Sequence, residues 1–286
     1  MGQTIACANQ KGGVGKTTTV VNVGTYLAIA GHRVLIVDVD PQGNATSGLG
    51  VDRSGLDVTL YEAMTGSAAI RDVIVATRIA NLSIVPSSVG LAGAEMELAP
   101  TDQRERRLGW LLAEVAPDYD YLLLDCPPSV GLLTVNALTA ADSVLIPIQC
   151  EYYALEGLTQ LIATVNLVRD NLNPDLEIKG VVLTMFDGRT NLSADVAAEV
   201  RRHLGAAVFD TIVPRSVRLS EAPSFGLPIA LHRPDSRGAE AYAALARELI
   251  GRNGTTRTGQ ASPAAPAVAR EAQASSEPVP VGSTRT

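Results

Sequence analysis

Aromatic residues, cysteines and histidines are scarce in this 286-residue chain, with three Phe, one Trp, three Cys and three His. Only four per cent of the residues are aromatic while 46% are hydrophobic, so a core of Ala, Val, Leu and Ile is expected, and the length suits one large domain. The cysteine count is odd and no pair has C-x-x-C spacing. Cys7 and Cys126 fall in apolar, strand-like runs and Cys150 lies just past another. Reduced, buried thiols in a cytosolic protein are the expectation, which sets aside disulfide and metal-ligand roles. No apolar run approaches the about 18 residues of a membrane span, and the start of the chain lacks the charged flank of a signal peptide. Basic residues are the minority, 23 Lys and Arg against 30 Asp and Glu, for a net charge of −7. That balance argues against a wholesale basic nucleic-acid binder. It leaves room for a local basic patch, because screening confines exposed charges to roughly 10 Å.

What the chain does contain is alternation. Short Val/Ile/Leu runs at 33–38, 82–86, 121–125, 143–147 and 180–185 read as strands buried on both faces. Between them, 17–30, 103–115, 155–169, 192–203 and 238–250 read as helices. This order predicts a single α/β domain over residues 1–250, with a mostly parallel sheet and helices on both faces. From about Gly251 the composition turns to Gly, Thr, Ser, Ala, Pro and Gln, so residues 251–286 are expected to be a disordered tail without an apolar helical stripe.

The strongest local signal is Asn9-Gln-Lys-Gly-Gly-Val-Gly-Lys-Thr-Thr18, between a short apolar strand at 4–8 and the helix at 17–30. A glycine-rich loop that opens a helix aims backbone N–H groups from Gly13 to Thr17 at a phosphate. Lys16 would reach the β- and γ-phosphates and Thr17 would offer its hydroxyl to Mg²⁺, which gives the domain a P-loop NTPase-like character. Gln10 stands where the usual pattern has glycine, and Lys11 is a second, extra lysine. Such chemistry also needs acids at neighbouring strand ends. Asp125 closes the apolar run at 121–125, and Asp38 and Asp40 close and follow the run at 33–38. Asp125 is the candidate for holding Mg²⁺ through water, Asp38 for supporting the metal side, and Asp40 for positioning the attacking water. Asp38 and Asp40, two residues apart on an extended segment, are expected to face the same way.

These stretches, with Gln149-Cys-Glu-Tyr-Tyr-Ala-Leu-Glu-Gly157, Arg189-Thr-Asn191 and Pro214-Arg-Ser-Val-Arg-Leu-Ser-Glu-Ala-Pro223, resemble the deviant Walker A ATPases of the ParA/MinD superfamily, in particular its chromosomal ParA (Soj) branch. The resemblance covers residues 2–250. It implies an ATP- and Mg²⁺-dependent sandwich dimer in which Lys11 contacts the partner's γ-phosphate while Lys16 acts within its own subunit. Gly12, Gly13, Val14, Gly15 and Thr18 complete the loop, with Gly12 at the close approach of the subunits. Pro214 and Ser216 would lie near the adenine, and Arg189 and Arg218 would bind double-stranded DNA non-specifically. A ParB-type protein would stimulate hydrolysis, on a cytoplasmic, nucleoid-associated protein without membrane contact. Gly188 stands where relatives often carry alanine, and Ser216 where they often carry asparagine. A MinD-like regulator of division-site placement is the alternative, but that class needs an amphipathic C-terminal helix. An electron-transfer ATPase would need cysteines placed to bridge a cluster between subunits.

Overall fold

The computed structural model describes residues 2–152 and 154–256. Eight strands form one sheet: β1 (Gln3–Cys7), β2 (Val34–Asp38), β3 (Val75–Ala76), β4 (Leu82–Val85), β5 (Tyr121–Asp125), β6 (Ser143–Gln149), β7 (Glu177–Phe186) and β8 (Val208–Pro214). Their order is β3-β4-β2-β5-β1-β6-β7-β8. Every pairing is parallel except β3 with β4.

Alternate residues of the central strands feed two separate cores. Ala6, Leu35, Val37, Leu122 and Leu124 face one core; Ile5, Val34, Ile36 and Leu123 face the other. The first is covered by α3 (Leu60–Thr65), α5 (Leu91–Leu98), α6 (Arg107–Ala113), α7 (Leu132–Ala140), α8 (Ala154–Asn171) and α9 (Asn191–Leu204). The second is covered by α1 (Lys16–Ile29), α2 (Asn44–Gly48), α10 (Val217–Glu221), α11 (Ile229–His232) and α12 (Arg237–Thr256). The remaining short helix, α4 (Ile70–Val73), leads into β3. Burial on both sides explains why the strands read as unbroken apolar runs.

Two elements differ from expectation at their ends. The helix expected over 103–115 starts as a tight 3₁₀ turn at Arg104–Arg106, after Gln103 in the left-handed region at φ 55°. The last helix continues from Ile250 to Thr256, through two glycines, so the expected boundary at Gly251 falls inside α12. Tertiary anchoring offsets the weak helix propensity of that stretch. The Arg252 guanidinium lies 3.9 Å from the Phe209 ring centre and donates to the Val208 carbonyl at 2.8 Å and to Glu248 at 3.0 Å. The rest of the expected tail, residues 257–286, lies outside the described residues.

Parallel registration decides where the chemistry sits. Cys7 pairs level with Asp125, and Asp125 level with Asp38, so three neighbouring strands end together at the carboxyl edge of the sheet. The loop of residues 9–15 leaves β1 at that edge.

Candidate functional site

The loop conformation follows from its glycines. Gly13 and Gly15 have φ of 74° and 91°, and a Cβ at Gly13 would meet nothing within 4 Å, so backbone conformation and not space demands glycine there. Gly15 is the residue before α1, whose first helical bond runs from Thr19 N to Gly15 O at 2.9 Å. The N–H groups of the first turn therefore face out of the helix end, where the macrodipole favours an anion. Neighbouring strands brace the loop. Asn9 donates to the Pro147 carbonyl at 2.8 Å and accepts from Lys11 N at 3.0 Å; the Thr184 hydroxyl donates to the Val14 carbonyl at 2.8 Å. Lys16 is buried, and its ammonium donates to the Lys11 carbonyl at 3.3 Å. The Lys11 side chain is half-exposed and points to Glu151, 3.7 Å away. A Cβ at Gly12 would meet only Pro128, at 4.0 Å, so the subunit itself leaves room for a side chain there.

Behind the loop lie acids that the protein alone leaves unsatisfied. Asp38 and Asp125 are fully buried. Neither oxygen of Asp125, nor Oδ1 of Asp38, has a hydrogen-bond partner of good geometry. Burial pushes the Asp125 carboxyl well above its ordinary range and the Asp38 charge pushes it further, while the Thr17 hydroxyl and Lys16 pull part of the way back. Asp38 is pushed up to about 6, chiefly by burial, against two hydrogen bonds from Thr46: backbone N at 2.8 Å and hydroxyl at 2.6 Å. Orphaned acceptors and like charges side by side are costly in a low-dielectric interior and are relieved by a cation. Among the described residues, no cluster of three or more His, Cys, Asp or Glu could hold a metal on protein ligands alone. That donor set fits Mg²⁺, which keeps waters and binds one or two carboxylates together with phosphate oxygens. Asp40 is buried in the turn beyond β2, where its carboxylate accepts from Gln42 N at 3.0 Å. The Asp38 side chain accepts from Thr46, while the nearby Asp40 charge still pushes its carboxyl up.

Two cavities flank Thr18. One, of about 470 Å³, is lined by Gly15, Thr184, Met185, Pro214, Ser216 and Tyr242 among others; the other, of about 450 Å³, by Thr17, Asn22, Asn44, Ser47 and Pro223. Pro214 and Ser216 thus line one cavity with Gly15 and Thr18 of the loop. Met185 adopts φ 51°, rare for a bulky residue, where the β7–β8 register shifts.

Arg189 and Arg218 come together in a further surface basin with Arg215 and Arg237. Arg201, on α9, donates instead to the Phe209 and Asp210 carbonyls at 3.3 and 3.1 Å and so braces β8. The three cysteines are free and buried, and none lies at an exposed surface where a cluster could join two subunits.

The family model described as an "AAA domain" matches residues 2–178. The chain is 57% identical to the sporulation initiation inhibitor protein Soj of Bacillus subtilis over 249 residues, 87% of this chain and 98% of Soj. It is 54% identical to the chromosome partitioning protein ParA of Myxococcus xanthus over 253 residues, 88% and 89% of the two chains. The chain belongs to the Soj/ParA family of chromosome-partitioning ATPases. Among solved structures, cobyrinic acid a,c-diamide synthase from Mycobacterium smegmatis with bound ADP and magnesium superposes with a TM-score of 0.80 at 38% identity, covering 90% of this chain and 97% of that one.

In this Soj/ParA chain several further residues brace the site without having been assigned a role from the sequence. Thr46 holds Asp38, Thr184 holds the loop carbonyl of Val14, and Asn9 ties the loop to β6. Glu151 lies between Lys11 at 3.7 Å and Arg215 at 3.8 Å. Asn9 belongs to the loop stretch at 9–18 and Glu151 to the family-like stretch at 149–157, whereas Thr46 lies outside every stretch that carries the resemblance.

Proposed function

We propose that this Soj/ParA-family ATPase uses ATP and Mg²⁺ to dimerise, binds DNA non-specifically as the dimer, and leaves it on hydrolysis stimulated by a ParB-type protein. The observation that carries the reading is the pair of buried, unsatisfied carboxylates, Asp38 and Asp125, behind a phosphate loop whose lysine is itself buried. Thr17 and Asp125 would hold Mg²⁺, the acid through water, with Asp38 next to it. When bound, the ion supplies charge neutralisation on the phosphate oxygens. The loop amides from Gly13 to Thr18 and the Lys16 ammonium hold the phosphates, and Pro214 and Ser216 border the base. Asp40 orients the attacking water and accepts its proton at a carboxylate oxygen. Lys11 crosses to the partner subunit's nucleotide and stabilises the transferred phosphoryl group as an arginine finger does, which makes dimerisation depend on the γ-phosphate. The room beside Gly12 within its own subunit supports a demand for glycine that comes from the partner. Arg189 and Arg218 contact phosphodiesters, so binding is sequence-independent and salt-sensitive.

Among the described residues no helix is long and apolar enough to cross a membrane. The deciding experiment measures DNA binding with ADP, ATP and a slowly hydrolysed analogue, reading oligomeric state in parallel. Salt-sensitive binding that appears only with dimers in the ATP states is expected. Dimers that pellet with liposomes and ignore DNA would establish the MinD-like alternative instead.

A further inference from the structure

The surface basin below the Pro214–Ser216 segment encloses about 680 Å³ and brings together Arg189, Arg215, Arg218 and Arg237 with Ser216 and Ser236. Three of these arginines already face carboxylates of the same chain: Arg215 lies 3.8 Å from Glu151, and the other two are hydrogen-bonded to theirs. Arg189 clasps Asp187 through both donors of its Nε edge, Nε to Oδ1 at 2.8 Å and a terminal nitrogen to Oδ2 at 2.7 Å, and its backbone N–H adds a third bond to Oδ1 at 3.1 Å. Arg218 donates to Glu221 Oε2 at 2.8 Å. The acids are not equally exposed: the Glu221 side chain is 38% exposed. The Asp187 side chain is 20% exposed while Arg189 is 87% exposed. Asp187 also sits in the turn entering α9, where its carbonyl accepts from Thr190 N at 3.1 Å. The Arg189 guanidinium holds the Asp187 carboxyl well below the usual carboxylate range, so it stays charged throughout the physiological range.

We propose that Asp187, with a smaller contribution from Glu221, is a built-in counter-ion that competes with DNA phosphodiesters for Arg189 and so keeps DNA binding weak and reversible. The inference rests on the DNA reading of this basin. A carboxylate and a phosphate engage the same two-pronged edge of a guanidinium, so both cannot occupy the Nε edge of Arg189 at once. Each unpaired cation that meets a phosphate releases counterions and steepens the salt dependence; a cation already neutralised from within releases fewer. The paired acids also lower the positive potential that draws DNA in. Weak holding suits a protein that must leave DNA when its nucleotide is hydrolysed.

Asp187→Asn keeps an oxygen that can accept from the Arg189 backbone and side chain while removing the charge. Affinity for a random-sequence duplex is measured in the slowly hydrolysed ATP state across a salt series, per dimer determined in parallel. D187N should bind about three-fold or more tighter at low salt, and the slope of log affinity against log salt should steepen by up to about 0.9, the value of one phosphate contact. In an Arg189→Ala background the same change should gain less. Glu221→Gln, which removes a more exposed acid held by a single hydrogen bond, should show the same sign with a smaller gain. Wild-type binding that neither D187N nor E221Q tightens, or a D187N gain that survives in R189A, overturns the proposal alone. A wild-type protein with no salt-sensitive DNA binding in the ATP state removes the DNA reading as well.

Discussion

The phosphate loop and the arginine basin share the carboxyl edge of one sheet, yet their charges are arranged in opposite ways. At the loop, like-charged groups are buried side by side: Asp38 and Asp125 lie level at adjacent strand ends with three carboxylate oxygens lacking a hydrogen-bond partner of good geometry. At the basin, opposite charges are exposed and paired: Arg189 with Asp187, Arg218 with Glu221. Burial makes each uncompensated charge at the loop expensive, so that site is built to be completed by a cation and a polyanion in one geometry. Exposure makes each pair at the basin worth little, so a ligand there can exchange partners at small cost under salt. One end is suited to a tightly held nucleotide, the other to transient contact with a polyanion.

The largest expected effect tests the loop. Lys16→Ala removes the buried ammonium and should abolish detectable ATP binding by calorimetry; binding within ten-fold of wild type would mean the loop does not cradle phosphate as proposed. Asp40→Ala should lower turnover by about 10² to 10⁴ while ATP-bound dimers accumulate on a sizing column. Normal steady-state turnover would take Asp40 out of the chemistry. At the basin, Arg218→Glu should leave ATP-driven dimerisation intact and weaken DNA binding at low salt by an order of magnitude or more. Retained affinity would break the contrast by showing that the basin is not the DNA surface.

The smallest effect concerns pH. The folded Asp38 carboxyl is pushed up to about 6 by burial, and Asp125 shifts in the same direction. Both therefore bind protons more readily folded than unfolded, and their contribution to stability falls as pH rises from near 4 through 6. Nucleotide-free protein should lose melting temperature across that window more steeply than its Asp38→Asn variant, since other acids, Asp187 among them, titrate with the opposite sign in both. Equal slopes would show that the buried pair does not carry this charge in the folded state.

Much of the nucleotide end was legible because it is local. The loop, the strand before it and the helix after it occupy consecutive residues, and Asp38 and Asp125 close apolar runs that could only be central strands. Short or amphipathic pieces were not legible. The two-residue strand β3 and the half-exposed edge strand β8, with Asp210 and Thr211 in its middle, lack a clear apolar signature, and α7 reads equally well as strand. The continuation of α12 past Gly251 was hidden because Arg252 is secured by Phe209 and Val208 far away in sequence.

By itself, then, the sequence determined the α/β class, the phosphate loop, its acids and the family, because each is written in contiguous residues or in the spacing of apolar runs. Tertiary structure alone decided the electrostatics. Parallel registration set Asp38 beside Asp125, Thr46 supplied hydrogen bonds to Asp38, and Glu151 came between Lys11 and Arg215. Even Asp187 and Arg189, only two residues apart, needed the turn before α9 to form their fork. Charge–charge energies depend on separation and burial in three dimensions, and neither can be read from spacing along a chain.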